Sequence, residues 1–143
     1  MIGRRIVLRA LVLGVALAAM PAFAEPPESR EEAARKVAES WLGLVDAGQY
    51  GESWDAAASY FKSKVPRETW EKMAASVRGD LGQFQSREFL AMQYTKELPG
   101  APDGDYVVIQ FRAAYAKKKS AIETVTPMLD SDGQWRVSGY YVK

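Results

Sequence analysis

The chain has 143 residues, 48% of them hydrophobic, and its 19 basic and 18 acidic side chains leave a formal net charge of +1. It contains no histidine and no cysteine. Disulfides, thiol chemistry and imidazole catalysis are therefore excluded, and zinc and copper lose their usual ligands. We expect neither a metal site nor a cofactor.

The first 24 residues have the pattern of a secretory signal peptide. Arg4, Arg5 and Arg9 precede an apolar run over residues 10–20, and residues 21–24 end in a small-x-small cleavage pattern. The run is too short to span a bilayer as a stable helix, so we expect cleavage and no membrane contact afterwards. The adjacent arginines also fit a twin-arginine signal, although general secretion is the simpler interpretation.

Residues 25–143 then form the mature chain, which we expect to be periplasmic or secreted and to fold as a single domain. Three of the 19 basic residues lie in the signal, so 16 bases face 18 acids and the net charge falls to −2. Such a domain lacks the positive excess that drives nucleic-acid binding. We expect no nucleic-acid partner.

Three helices are predicted in the first half of the mature chain. Ser29 and Glu32 form a capping box, after which apolar side chains recur every three or four residues up to Gly48. A shorter helix is predicted over residues 52–62, and a third runs from Pro66 to one of the next two glycines. The apolar stripes of these helices carry side chains expected in the core, among them Trp41, Trp54, Trp70, Met73, Ala74 and Val77.

Beyond residue 82 the pattern changes to alternating apolar, β-branched and aromatic residues, which is typical of strands. Four strands are predicted, at about residues 84–96, 105–116, 121–129 and 134–142. Their short, turn-rich joins favour an antiparallel meander. The expected fold is therefore α+β, with three helices packed on one face of a curved, cone-like, four-stranded antiparallel sheet.

Ordered motifs run through nearly the whole mature chain. They are residues 41–50 with Ser53-Trp54, residues 78–82, residues 98–106, residues 123–126, and Asp132-Gly133-Gln134-Trp135 continuing to Tyr141. Together they resemble the uncharacterised secreted bacterial family known as domain of unknown function 4019. The resemblance implies export and this fold, and it supplies no catalytic residue. More remotely, helices followed by a curved sheet are similar to the nuclear transport factor two-like superfamily, whose cone encloses a pocket. The superfamily's histidine-dependent enzymes cannot be matched here.

Glu123 is the strongest candidate for chemistry, because it lies within an apolar and β-branched run of the third strand. A tight turn within residues 131–133 would place it on the face of Arg136, Ser138 and Tyr140, and these four side chains could line a pocket. The interpretation that we favour is an ordinary cross-strand ion pair between Glu123 and Arg136, with Tyr140 beside it. A catalytic role would require that Glu123 be buried.

The register across the lysine turn, residues 117–119, decides whether Glu123 meets Arg112. A two-residue loop would place Glu123 with Arg112. A three-residue loop would place it instead with the residues of the opposite face of the second strand, which are Phe111, Ala113 and Tyr115. The sequence leaves both registers open.

Arg78 and Arg87 flank the join between the third helix and the sheet, so they could hold an anionic ligand. Capping helix carbonyls or pairing with a nearby acid is the interpretation that we favour. The lysines of residues 117–119 are interpreted as a solvated hairpin turn. Residues 130–133 are interpreted as another turn, because the spaced oxygen ligands and closing glutamate of a calcium loop are missing.

No phosphate-binding loop, nucleophile elbow or metal-ligand spacing is present in the sequence. We therefore expect a noncatalytic module that binds a small ligand or another protein. The alternatives are a small-molecule isomerase or hydrolase that uses Glu123 and Tyr140, and a structural homodimer formed through the exposed sheet face. A polar pocket with a partnerless Glu123 would favour the enzyme, whereas a filled interior would favour binding or structure.

Overall fold

The structure, a computed structural model, describes residues 18–143. The basic start and most of the apolar run of the predicted signal lie outside the described residues. Four helices precede four strands: α1 Arg30–Asp46, α2 Tyr50–Asp55, α3 Ser59–Lys64, α4 Arg67–Leu81, β1 Phe84–Thr95, β2 Tyr106–Tyr115, β3 Lys118–Leu129 and β4 Trp135–Val142. Among the described residues no helix is long and apolar enough to cross a membrane.

The ends of the long helices follow local capping rules. Ser29 is the N-cap of α1, and its side-chain oxygen accepts a hydrogen bond from the backbone N–H of Glu32 at 3.2 Å. Gly48, just beyond α1, and Gly82, the C-cap of α4, have φ angles of +74° and +79°. This left-handed region favours glycine, which explains why both helices stop there. Pro66 is the N-cap of α4 rather than its first residue.

The single helix predicted over residues 52–62 is wrong, because the chain forms α2 and α3 with a break between them. Ala57 and Ala58 are fully buried in the break. The N–H of Ala58 donates a hydrogen bond to the carbonyl of Val137 in β4 at 2.8 Å. This long-range bond satisfies a backbone group that a continuous helix would have paired internally.

The buried face of α4 differs from the predicted stripe. Trp70 and Ala74 are buried as expected, but Met73 and Val77 are 54% and 43% exposed. Arg78 is buried one position further along instead. The helix is therefore rotated so that a charged side chain enters the interior while two apolar ones remain in water.

The predicted α+β architecture and antiparallel meander are confirmed. The strand order is β1-β2-β3-β4, all pairs are antiparallel, and α1 packs across all four strands. The strand side of the core includes Val107, Ile109, Phe111, Val125 and Val137. This packing leaves the other sheet face without a helical layer in the described part of the chain.

The three predicted core tryptophans anchor the helices through their indole N–H groups. Trp41 donates to the backbone carbonyl of Ser53 at 2.8 Å, and Trp70 donates to the hydroxyl of Ser53 at 2.9 Å. Both rings are buried, whereas Trp54 is half-buried and donates to the carbonyl of Val65 at 2.7 Å. The buried Ser53 therefore links α1, α2 and α4.

An irregularity in β2–β3 pairing decides which side chains Glu123 meets. The turn has two residues, yet Glu123 lies opposite Phe111, as expected for a three-residue loop. A register shift between Ala113 and Tyr115 supplies the extra residue. Arg112 consequently lies on the opposite face of the sheet from Glu123.

A second irregularity overturns the predicted pair of Glu123 and Arg136. In the pairing with β3, β4 carries one extra residue at Ser138. Before this residue, Arg136 lies opposite Met128 and faces away from Glu123. After it, Tyr140 lies on the face of Glu123, so that half of the expectation is confirmed.

Candidate functional site

Six charged or phenolic side chains meet inside the domain, one each from α1, α4 and the four strands. We call them the buried ion cluster: Asp46, Arg78, Arg87, Tyr115, Glu123 and Tyr140. Four of them, Arg78, Arg87, Glu123 and Tyr140, are sequence-predicted candidates. The fold therefore brings together residues up to 94 positions apart in the chain.

The Glu123 carboxylate is fully buried at the centre of this cluster. Its Oε1 accepts a hydrogen bond from Arg87 Nε at 2.6 Å. Its Oε2 accepts from the hydroxyls of Tyr115 at 2.8 Å and Tyr140 at 2.6 Å, and from a second nitrogen of Arg87 at 3.2 Å. Arg78 approaches the same oxygen to 3.5 Å. Both carboxylate oxygens are thus occupied by donors.

Asp46 supplies the second negative charge from the last residue of α1. Its carboxylate accepts hydrogen bonds from Arg78 at 2.8 Å and from two nitrogens of Arg87 at 2.8 and 3.0 Å. The last turn of α1 has no basic residue, and an acid there opposes the helix dipole. The two arginines compensate from α4 and β1.

The protonation states of the cluster follow from burial and pairing. Burial alone would lower the pKa of Arg87, but its bonds to Asp46 and Glu123 outweigh burial and raise the pKa above its ordinary value. Burial, with the nearby charge of Glu123, raises the pKa of Tyr115 to about 12 and that of Tyr140 still further. Both phenols therefore stay neutral at physiological pH and can donate their hydrogen bonds to Glu123.

Arg78 is the side chain in the cluster that remains incompletely satisfied. Its terminal nitrogens donate to Asp46 and, at 3.0 Å, to the hydroxyl of Tyr140. Its Nε is buried without a hydrogen-bond acceptor among the described residues. The guanidinium carbon lies 5.0 Å from the ring centroid of Tyr115, a cation–π contact that offsets part of the cost of burial.

This geometry gives the cluster little scope for acid–base chemistry. A general acid or base must reach the proton that it transfers, either directly or through one water. Glu123 has no exposed surface, and Tyr140 already donates to Glu123 and accepts from Arg78. The condition that favours an enzyme, a partnerless Glu123 in an open pocket, is not met.

The two other candidate arginines lie outside the cluster. Arg112 is half exposed, and one of its guanidinium nitrogens makes a long contact of 3.7 Å with the carboxylate of Glu88 on the outer surface. Arg136 binds Asp132 through two hydrogen bonds of 2.8 Å and reaches Asp130 at 3.2 Å. The hydrogen bonds from Arg136 lower the pKa of Asp132 to about 2. These contacts organise the β3–β4 turn.

Asp46 is not among the sequence-predicted candidates, and Tyr115 is placed beside Glu123 in only one of the two open registers, without a bond between them. Asp46 carried a weak signal, because an acid at a helix C-terminus needs an external positive charge. Tyr115 shares the inner face of β2 with Phe111 and Ala113, a periodicity that predicts burial but not its bond to Glu123.

A cleft of about 500 Å³ with a mixed polar and apolar lining opens beside Asp46, Arg78 and Gln83. An anionic ligand there would find Arg78, the arginine that lines the cleft, already paired with Asp46. Within residues 18–143 no group of three or more acidic side chains is arranged to hold a metal ion. The cleft thus has no free charge that selects a ligand.

A second concave site, the α4–β4 groove, has a volume of about 220 Å³. Its lining includes Trp70, Met73 and Val77 of α4 and Tyr140, Tyr141 and Val142 of β4. Met73, Val77 and Tyr141 are 54%, 43% and 51% exposed. The other strongly exposed large hydrophobic residues of the described chain, Met20 and Phe23, belong to the predicted signal. Within the folded domain the exposed large apolar side chains therefore share one groove.

The described residues form an α+β fold with an apolar core, a buried ion cluster and an apolar surface groove. Over residues 37–140 the chain matches the family described as Protein of unknown function (DUF4019), and it belongs to that family. No curated protein matches the chain.

Solved structures with a similar fold include the following two. One is a protein from Catenulispora acidiphila, with 10% identity and a TM-score of 0.49, covering 78% of this chain and 88% of that one. The other is Aln2 from a Streptomyces species, with 15% identity and a TM-score of 0.50, covering 81% of this chain and 92% of that one. At this identity the similarity to Aln2 concerns the fold alone.

Proposed function

We propose that this protein is an exported, noncatalytic binding module that takes an apolar partner into the α4–β4 groove. The observation that carries the proposal is the clustering of Met73, Val77 and Tyr141 on one concave surface. Exposed apolar side chains scattered singly are ordinary, whereas a contiguous group marks a binding site.

The packing beneath the groove supports a preformed site. The Trp70 ring is held by its hydrogen bond to Ser53 and lies 5.7 Å from the ring centroid of Trp41 and 6.4 Å from that of Tyr140. A fixed floor reduces the conformational entropy that binding must remove. The exposed walls supply the apolar area whose removal from water stabilises a complex.

The alternative of an isomerase or hydrolase that uses Glu123 and Tyr140 has less support, because both side chains are engaged within the cluster. A homodimer through the outer sheet face stays a prediction for which no described contact provides support. The groove is therefore the site to test first.

The test is titration of the mature protein with the apolar dye N-phenyl-1-naphthylamine, whose fluorescence rises when it leaves water. We expect saturable binding that Val77→Glu weakens at least about tenfold, because a charge in the groove must be desolvated. Ser76→Glu, exposed on the same helix and outside the groove, is the matched control and should bind as the parent does. Equal effects of the two substitutions would contradict the assignment of the groove.

Export rests on the basic start, apolar run and cleavage pattern of residues 1–24. Protein recovered from the periplasm or medium should have the mass of a chain that starts at Glu25. Full-length chain confined to the cytosol would overturn export while leaving the groove assignment intact.

A further inference from the structure

We propose that the partner of the α4–β4 groove is an extended peptide segment, apolar at alternate positions and acidic at one end, which adds as a fifth strand to the free edge of β4. The inference rests on the proposed function of the groove and specifies the class of partner.

The groove follows the edge of β4 rather than one face of the sheet. Tyr140 and Val142 lie on the helix-covered face, opposite Val125 and Glu123. Tyr141 lies on the other face, because successive strand residues alternate. All three β4 residues nevertheless line the same groove. The groove must therefore wrap around the strand edge, where an added strand would lie.

The backbone at this edge has unused hydrogen-bonding groups. Ile122 and Lys143 exchange two backbone hydrogen bonds, of 2.8 and 3.0 Å. In an antiparallel ladder such pairs alternate, so the N–H and C=O groups of Tyr140 and Val142 point away from β3. β4 is the last strand of the sheet, and no other strand in residues 18–143 pairs with that side.

Only one end of the edge is covered. Near the start of β4, the carbonyl of Val137 accepts a hydrogen bond from Ala58. No comparable backbone bond from a helix or loop of the described chain reaches Tyr140 or Val142. Uncovered edges readily accept another strand, and proteins normally block them with proline, bulges or covering loops. Here the open stretch coincides with the exposed side chains of Met73 and Val77.

Charge indicates which end of the peptide is acidic. Four lysines lie at the same end of the sheet: Lys117 in the β2–β3 turn, Lys118 and Lys119 at the start of β3, and Lys143 beyond β4. None of these four lysines forms a salt bridge within the described part of the chain. Acidic residues at that end of an added strand would be attracted, whereas its apolar side chains would contact α4.

The experiment uses a fluorescein-labelled synthetic peptide of alternating valine and threonine that ends in two glutamates, titrated by anisotropy with the mature protein. We expect binding that weakens at least tenfold when the central amide nitrogens of the peptide are methylated, because methylation removes backbone donors but keeps every side chain. Exchanging the glutamates for lysines should weaken binding severalfold. Lys143→Glu should also weaken binding severalfold. Lys96→Glu, just beyond β1 at the other edge of the sheet, should not change it.

The outcomes separate this inference from the proposed function. If the naphthylamine dye binds and depends on Val77 but the methylated and parent peptides bind equally, strand addition is overturned and the groove assignment stands. If neither dye nor peptide binds, both fail. If light scattering shows a dimer that Val77→Glu dissociates, a second copy occupies the edge and the peptide inference is overturned.

Discussion

The buried ion cluster and the α4–β4 groove share Arg78 and Tyr140, yet they differ in what their other atoms contact. In the cluster, charges of both signs are paired inside the protein. In the groove, Met73, Val77 and Tyr141 remain in water. The difference teaches that the charged and phenolic side chains, which are the usual candidates for catalysis, stabilise this fold. The apolar side chains are the ones available to bind a partner.

The largest change in stability is expected at Arg87, because its side chain donates hydrogen bonds to both carboxylates of the cluster. Replacing Arg87 by methionine leaves the buried Glu123 and the mostly buried Asp46 with only Arg78 as a positive partner, so the free energy of unfolding should fall by about 3–5 kcal/mol. Urea denaturation measures the change. Arg112→Met is the matched control, because Arg112 is half exposed with a long contact to Glu88, and it should cost less than about 0.5 kcal/mol. Similar losses in the two variants would show that the cluster does not stabilise the fold.

Glu123→Gln separates the bracing role from the catalytic one. The exposed ion pair expected from the sequence would make this substitution cost no more than about 1 kcal/mol. The buried contacts instead predict a loss of about 1.5–3 kcal/mol, because hydrogen bonds to a charged group are removed while Arg87 stays in place. Glu88→Gln, on the surface, is the control. An unchanged or increased stability of Glu123→Gln would favour a strained catalytic acid and revive the enzyme alternative.

The two phenols of the cluster predict a dependence on alkaline pH. Since the folded-state pKa of Tyr115 is raised to about 12, its contribution to stability is fully present below the unfolded value of about 10 and is lost as pH rises toward 12. The parent protein should therefore lose stability between pH 10 and 12. Tyr115→Phe should flatten that loss, as followed by circular dichroism, whereas the exposed Tyr141→Phe should not. Equal profiles for the two variants would contradict the burial argument.

The elements that the sequence predicts correctly are those fixed by interactions between residues close together in the chain. The capping box at Ser29, the stop near Gly48 and the alternation of the strands are local, and they placed α1 and the sheet correctly. The break between α2 and α3 depends on Ala58 bonding Val137, 79 residues away, so no periodicity within the segment reveals it.

The site was harder to predict for the same reason. Single-residue irregularities near Tyr115 and Ser138 decide which face each side chain occupies. Because of these irregularities, Arg112 and Arg136 face away from the cluster, whereas Tyr140 faces it. Nothing local to a strand shows that its partner has an extra residue, so a correct list of strands still leaves side-chain partners open.

Val77→Glu should have the smallest effect on stability, and it tests most directly whether the groove is separate from the core. Val77 is 43% exposed and makes no polar contact, so Val77→Glu should change unfolding free energy by no more than about 0.5 kcal/mol while removing dye binding. Ala74→Glu, one turn earlier and buried, should instead unfold the domain, because its charge would enter the core without a partner. Urea denaturation and dye titration on the same samples give both quantities. If Val77→Glu lowered both the free energy of unfolding and dye binding, the groove would be part of the core. The interior that stabilises the fold and the surface that binds would then not be distinct.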